Sequence, residues 1–129
     1  MKKELQDKLY ESYPKIFRRK DLSMKETCMY WGIDCGDGWF NIINKLCDRL
    51  QEDIDLNNKP QIEATQVKEK FGTLRFYTDI SDEVANELIQ IAEKMSKTTC
   101  EECGSTDSAE NRETNAWWRV RCKDCIDVK

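Results

Sequence analysis

Apolar residues recur every three or four positions in three stretches of the chain, which predicts three amphipathic helices. The first covers residues 2–12 and ends before Pro14, because proline lacks the backbone N–H that a continuing helix needs. The second begins at Trp39 and ends near Asp55. Its buried face is expected to consist of Ile43, Leu46, Cys47, Leu50 and Ile54. The third begins at Ser81, a favourable N-cap, and we expect its core stripe to be Val84, Leu88, Ile91 and Met95.

Residues 61–78, QIEATQVKEKFGTLRFYT, are rich in the Thr, Val, Phe and Tyr residues that favour strands, and they predict a β-hairpin. Gly72 lies where the turn belongs, and a loop of residues 69–72 would pair Val67 with Leu74. The next buried pair would be Thr65 with Phe76. The opposite face would carry Gln66, Lys68, Arg75 and Tyr77. Helices combined with a hairpin, rather than with alternating parallel strands, indicate an α+β fold.

Four of the seven cysteines form two C-x-x-C pairs near the C-terminus: Cys100, Cys103, Cys122 and Cys125. Two such turns joined by a short hairpin are typical of a zinc ribbon, because Zn²⁺ prefers four soft ligands in a tetrahedron. The segment WWRVRCKDC reads as a strand entering the second turn. The chain has no histidine, which a catalytic zinc site commonly uses, so we expect a structural Zn²⁺. An iron–sulfur cluster on the same thiolates is the alternative. These features divide the chain into an α+β body, residues 1–97, and an appended zinc ribbon, residues 98–129.

Composition narrows the class of protein. The chain has 129 residues and a net charge of −4, and nucleic-acid affinity depends largely on neutralising phosphates with Lys and Arg. Nucleic acid is therefore a less favoured partner. No apolar run approaches the length of a membrane span, and the N-terminal residues lack the pattern of a signal peptide. We expect a cytoplasmic protein without a membrane partner.

Two other segments carry candidate binding chemistry. In ETCMYWGIDCGDGW, residues 26–39, the backbone N–H groups around Gly36 and Gly38 precede a helix and can receive an anion. Together with the hairpin, this segment suggests a site for a small phosphate-bearing ligand. Its candidate residues are Trp31, Trp39, Lys68, Lys70, Arg75 and Tyr77. The alternative is that these aromatics form core and these charges form surface salt pairs. Asp34 and Asp37 are turn and cap candidates, or alternatively ligands of a hard cation in an enzyme.

A different surface is possible on the ribbon itself. Trp117, Trp118, Arg119 and Arg121 would provide stacking faces and positive charge for docking on a host protein or nucleic acid. Acidic residues are numerous in the same segment and weigh against nucleic acid. The alternative is that one tryptophan packs on the metal site or on the body while its neighbour is half exposed.

The stretches ETCMYWGIDCGDGWFNIINKLC and ATQVKEKFGTLRFY, followed by a helix, a C-x-x-C knuckle and WWR, resemble a family of small proteins found widely in phage and prophage genomes. The resemblance covers about residues 20–125, and most members carry no assigned function. It implies an accessory protein in the host cytoplasm. We therefore expect a non-catalytic, zinc-stabilised protein that binds a small anionic ligand, for example by sequestering a nucleotide immune signal. The alternative is a zinc-ribbon module that docks on a host protein or nucleic acid.

Overall fold

A computed structural model describes residues 1–114 and 117–126 of the chain. Its helices are α1 (Lys3–Ser12), α2 (Phe40–Leu56) and α3 (Glu83–Ser96). Its strands are β1 (Ile33–Asp34), β2 (Ala64–Lys70), β3 (Thr73–Thr78), β4 (Glu110–Thr114) and β5 (Trp117–Arg121). The predicted α+β class is confirmed. None of the helices in the described residues is long and apolar enough to cross a membrane.

The central sheet has the order β1-β2-β3 and mixes two kinds of pairing. β1 runs parallel to β2, and β2 runs antiparallel to β3 with Val67 opposite Phe76. The predicted loop of residues 69–72 is wrong, because Lys70 already pairs with Thr73 and leaves a turn of only two residues. Both turn residues, Phe71 and Gly72, have positive φ, which suits a tight turn that follows the twist of the strands. Because the register differs from the prediction by two residues, Val67, Leu74 and Phe76 keep the predicted buried face. The prediction fails at Thr65, because a register shift between Ala64 and Gln66 leaves Thr65 only partly buried and places Ala64 in the core.

Helix α3 packs on the sheet and on α2, but through a different face from the one predicted. Its buried residues are Ala85, Ile89, Ala92 and Ser96. Each of these residues comes directly after a residue of the predicted stripe. The helix is therefore rotated by about 100° from the expected orientation. Two alanines at the contact let the helix lie close to its neighbours. The predicted core stripe is therefore wrong: Val84, Ile91 and Met95 are 40%, 47% and 40% exposed.

A buried carboxylate ties the segment after α1 to the start of the sheet. Glu63 accepts hydrogen bonds from Arg18 Nε at 2.8 Å and from Arg19 Nε at 2.9 Å. These hydrogen bonds, with that from Arg18 the strongest, hold the pKa of Glu63 below its ordinary value, although burial opposes them. The main-chain N–H of Glu63 donates to Asp79 Oδ1 at 2.8 Å, so both ends of the hairpin meet at this point.

Candidate functional site

The four cysteines of the two C-x-x-C pairs converge on one point. Their Sγ atoms all lie within 4.8 Å of one another, and those of Cys103 and Cys122 are 3.7 Å apart. A tetrahedron with metal–sulfur bonds of about 2.3 Å has edges of about 3.8 Å, so this spacing matches a four-thiolate metal site. No pair is at disulfide distance, and all four are free thiols. Cys100, Cys103, Cys122 and Cys125 can therefore hold one metal ion.

The surroundings of the sulfurs favour the thiolate at one position and disfavour it at another. Burial acts to raise the pKa of Cys100, but backbone N–H groups of Cys103, Cys122 and Glu102 outweigh it and lower that pKa to about 7. Burial and the neighbouring thiols raise the pKa of Cys125. Four thiolates this close repel one another, and a divalent cation at their centre removes that repulsion. The donor set therefore fits a metal such as zinc.

The glycine-rich loop docks directly on the first cysteine knuckle. Gly36 N donates to the side chain of Glu101 (Oε2) at 2.8 Å, and Gly38 N donates to the main-chain oxygen of Glu101 at 2.8 Å. These are the N–H groups that the sequence suggested as an anion site. Their acceptor is a residue of the chain itself, so they are not free for a ligand. Glu101 is also 3.5 Å from the buried guanidinium of Arg121.

Both glycines are required by this close approach. A Cβ at Gly38 would lie 2.6 Å from Gly104 N and 2.7 Å from Glu101 C, and nearer still to the carbonyl oxygen of Cys100. The next residue, Trp39, is fully buried, and its indole N–H donates to the carbonyl oxygen of Thr99 at 2.9 Å. The loop and the knuckle therefore form one continuous packed unit, and the cysteine cluster is anchored to the N-terminus of α2.

A cleft of about 760 Å³ lies between the hairpin and the ribbon, next to this unit. One wall comes from the end of β2 and the turn, and the other comes from β5. The cleft is lined by Asp34, Cys35, Lys68, Glu69, Lys70, Phe71, Glu101, Trp117, Trp118 and Arg119. It thus combines two of the cations predicted on the hairpin with three residues that the sequence suggested as a separate docking surface.

The charged groups of the cleft are unequally engaged. Glu69 accepts a hydrogen bond from Gly72 N at 2.8 Å, and Glu101 is occupied by the glycine loop. Within the described residues, Lys68, Lys70 and Arg119 make no ion pair with a carboxylate. The cleft therefore carries equal numbers of cationic and acidic side chains, with the exposed Asp34 as the third carboxylate, but its three cations are not held in ion pairs by the described part of the chain.

Flat apolar faces lie beside these cations. Trp117 and Trp118 are 64% and 44% exposed, and Phe71 at the tip of the hairpin is also exposed. Arg119 lies 6.0 Å from the centre of the Trp117 ring, and Lys70 lies 5.7 Å from that of Phe71. Phe71 was not predicted as a site residue, because only the tight turn gives it this exposed position.

The remaining predicted ligand residues lie elsewhere. Trp39 is buried and has no face available for stacking. Trp31 is exposed but lines another depression, together with Tyr10 and Lys20. Arg75 is directed to α3, with its Nη1 3.8 Å from Glu93, and Tyr77 lines a depression beside Cys28.

Of the two acidic residues that the sequence left open, Asp34 lines the cleft and Asp37 accepts a hydrogen bond from Lys2 N at 2.7 Å. Asp37 thus joins the start of the chain to the glycine loop. Neither aspartate belongs to the group of possible metal ligands found in the described residues. That group consists of cysteines alone.

Comparison of the chain with protein-family models, with curated proteins and with solved structures found no match in any of the three.

Proposed function

We propose that the protein is a non-catalytic binding protein, stabilised by a structural Zn²⁺, that takes a small anionic ligand with an aromatic ring in the cleft. A nucleotide is the ligand class that this chemistry fits best. The observation that supports the proposal is the meeting of three cations without carboxylate partners and three exposed aromatic rings on one concave surface. The cleft volume of about 760 Å³ also falls within the range of roughly 300–1,000 Å³ usual for small-molecule sites.

Zinc is the metal proposed for the cysteine cluster because four thiolates at tetrahedral spacing and no histidine are typical of closed structural zinc sites. The ion would cross-link the two knuckles and thereby fix β5, which carries Trp117, Trp118 and Arg119. Bound metal would thus be needed for the shape of one wall of the cleft.

The residues of the cleft would divide the work of recognition. Lys68 and Lys70, on the hairpin wall, would contact the phosphate, since an ammonium group supplies charge and several hydrogen-bond donors. Trp117 or Trp118, on the opposite wall, would stack on the base. Stacking of a base on an aromatic side chain contributes about 1–3 kcal/mol and tolerates any base, so the exact nucleotide would depend on the polar edges of the cleft.

The resemblance to small phage-encoded proteins adds a biological setting to this proposal. A protein that tightly binds a nucleotide signal lowers its free concentration without any chemical step. We propose such sequestration, acting against a host defence, as the role of the cleft. Binding of this kind requires no general base, which agrees with a chain that lacks histidine.

The proposal is tested by isothermal titration of the zinc-loaded full-length protein with a panel of nucleoside monophosphates, triphosphates and cyclic or linear dinucleotides. At least one of Trp117→Ala and Trp118→Ala should raise the Kd of any ligand that binds by at least about fivefold, since stacking is lost. Lys68→Ala should have an effect of similar size that decreases with added salt.

Two variants serve as matched controls. Trp31→Ala removes an exposed tryptophan that lies outside the cleft, and Lys15→Ala removes an exposed lysine outside it. Neither should change the Kd. Flat titrations with the whole panel would overturn the proposal. Binding of single-stranded oligonucleotides that strengthens with length would instead favour the ribbon as a nucleic-acid surface.

A further inference from the structure

Helix α3 carries a second apolar face, about 100° around the helix from its buried one. This face, which we call the α3 stripe, consists of Val84, Leu88, Ile91 and Met95. Leu88 is partly buried, and the other three side chains are between 40% and 47% exposed. Beside the stripe, Ile42, Leu46 and Ala92 form the floor of a shallow groove between α2 and α3. The stripe therefore continues an apolar surface along most of the helix.

The spacing of the stripe is that of a helix–helix seam. Its residues follow one another at intervals of four, three and four, which is the a/d pattern of a coiled coil. The neighbouring face of α3, with Ala85 and Ile89, already supplies contacts to the sheet and α2. Of the stripe, only Leu88 also packs against the core, and an apolar row of this length on a helix usually marks an interface.

The charges beside the seam indicate what covers it. Glu87 and Lys94 lie on one flank, seven residues apart, and Lys45 and Glu52 lie seven residues apart on the neighbouring α2. Within the described residues, none of the four makes an ion pair. The α3 flank thus carries one negative and one positive charge, seven residues apart, and is complementary to its own copy when that copy runs in the opposite direction. The α2 side of the groove also carries Arg49, so its charge is positive on balance and does not specify a direction.

We propose that the α3 stripe is the interface of a homodimer in which the α3 helices of two copies pack antiparallel about a twofold axis. Val84 then packs on Met95 of the second copy, and Leu88 packs on its Ile91. The same reversal brings Glu87 to Lys94 of the second copy. A parallel arrangement is disfavoured because it offers Glu87 no lysine at this position.

The size of the interface sets the expected affinity. Fourteen residues of α3 span about 21 Å at 1.5 Å per residue, and the stripe supplies one apolar side chain per layer. A stripe of this size can bury less than the roughly 800 Å² per partner of a standard interface. We therefore expect a dissociation constant in the micromolar range. The inference is independent of the proposed function, since none of these residues lines the cleft.

The test is sedimentation equilibrium of the zinc-loaded full-length protein at concentrations from about 1 to about 300 µM. The mass should rise from that of one 15.2 kDa chain towards twice that value. Ile91→Glu should keep the protein monomeric throughout, whereas Gln90→Glu, at the adjacent exposed position, should dimerise like wild type. Circular dichroism and zinc content show whether each variant is folded. A wild-type protein that stays monomeric, or a dimer that Ile91→Glu leaves intact, would overturn the proposal.

Charge reversal tests the antiparallel geometry. Glu87→Lys and Lys94→Glu each place like charges together twice in the dimer, and each should raise its dissociation constant by about fivefold or more. The double variant restores both pairs and should return to within about twofold of wild type. Failure of the double variant to recover would contradict the antiparallel pairing. Nucleotide titrations of Ile91→Glu report separately on the cleft.

Discussion

The fit between the glycine loop and the cysteine knuckle predicts that Gly38→Ala strongly destabilises the protein. The added methyl carbon would lie 2.6 Å from Gly104 N and 2.7 Å from Glu101 C. Favourable carbon contacts are about 3.5–4.0 Å long, so the knuckle would have to retreat by about 1 Å. The obstructing atoms are all backbone, and they belong to a loop whose ends are fixed by the cysteine cluster. No side-chain rotation can therefore relieve the overlap.

The size of the effect follows from the contacts that such a retreat would break. The hydrogen bond from Gly38 N to Glu101 O would be lost, and so would the bond from the buried Trp39 indole to Thr99 O. A buried donor left without a partner costs about 1–3 kcal/mol, so the two together should lower the free energy of unfolding by about 4 kcal/mol. This is a large share of the roughly 5–15 kcal/mol that stabilises an average domain.

Urea unfolding of the zinc-loaded protein, followed by tryptophan fluorescence and far-UV circular dichroism, measures this difference. Asn41→Ala is the matched control, because Asn41 is exposed in the first turn of α2 and the change should stay within about 0.5 kcal/mol. The reasoning would be refuted if the Gly38→Ala protein bound one metal ion and its free energy of unfolding fell by less than about 1 kcal/mol. Such a result would mean that the knuckle does not lie against the loop.

Two further predictions concern the metal and the buried carboxylate. Cys103→Ser should abolish stoichiometric zinc binding, measured by elemental analysis, whereas Cys28→Ser should retain it, because both thiols are exposed but only Cys103 belongs to the cluster. Equal zinc contents would exclude the proposed ligand set. Because Glu63 has a lowered pKa in the folded state, its ionised form adds stability above its ordinary pKa of 4.5, and this contribution disappears as the pH falls through the lowered folded-state value. In urea unfolding, wild type should therefore be more stable than Glu63→Gln at pH 7, and this difference in the free energy of unfolding should decrease towards pH 3. A difference that does not change with pH would show that the ion pairs with Arg18 and Arg19 contribute little.

The sequence predicted most reliably the features that depend on local spacing. Helix α2 begins and ends within a residue or two of the expected positions, because its apolar residues are large and evenly spaced. The cysteine cluster was predictable for a related reason: the C-x-x-C turn itself fixes the distance between two ligands. Only the approach of the two C-x-x-C pairs to each other depended on the tertiary fold.

The orientation of α3 could not be read from its apolar pattern, since the helix has two apolar faces. The larger residues, such as Ile91 and Met95, form the exposed face, and the smaller Ala85 and Ala92 form the buried one. Selecting the more hydrophobic stripe gave the wrong face. Close packing against the sheet favours small residues, and no local signal reveals how closely a helix approaches its neighbours.

The cleft illustrates what depends on contacts between distant parts of the chain. The donors of Gly36 and Gly38 were recognised from the sequence, but their acceptor, Glu101, lies more than sixty residues away. In the same way, Lys68 and Trp118 were assigned to two competing sites, although the fold places them on one cleft. The sequence predicted candidate chemistry in each segment but not which segments share a surface.

The position of β5 has a consequence for the kinetics of metal exchange. One wall of the cleft stands on the strand that leads into Cys122, and the other belongs to the hairpin, to which Asn111 of β4 is tied by a hydrogen bond of 3.1 Å to Phe71 O. A molecule held between both walls would restrain the opening that a chelator needs to reach the sulfurs. If zinc binds the cysteines and a ligand binds the cleft, as proposed, and if the ion orders the β5 wall, thermodynamic linkage requires that each strengthen the binding of the other, so the affinity of the cleft would fall when zinc is scarce.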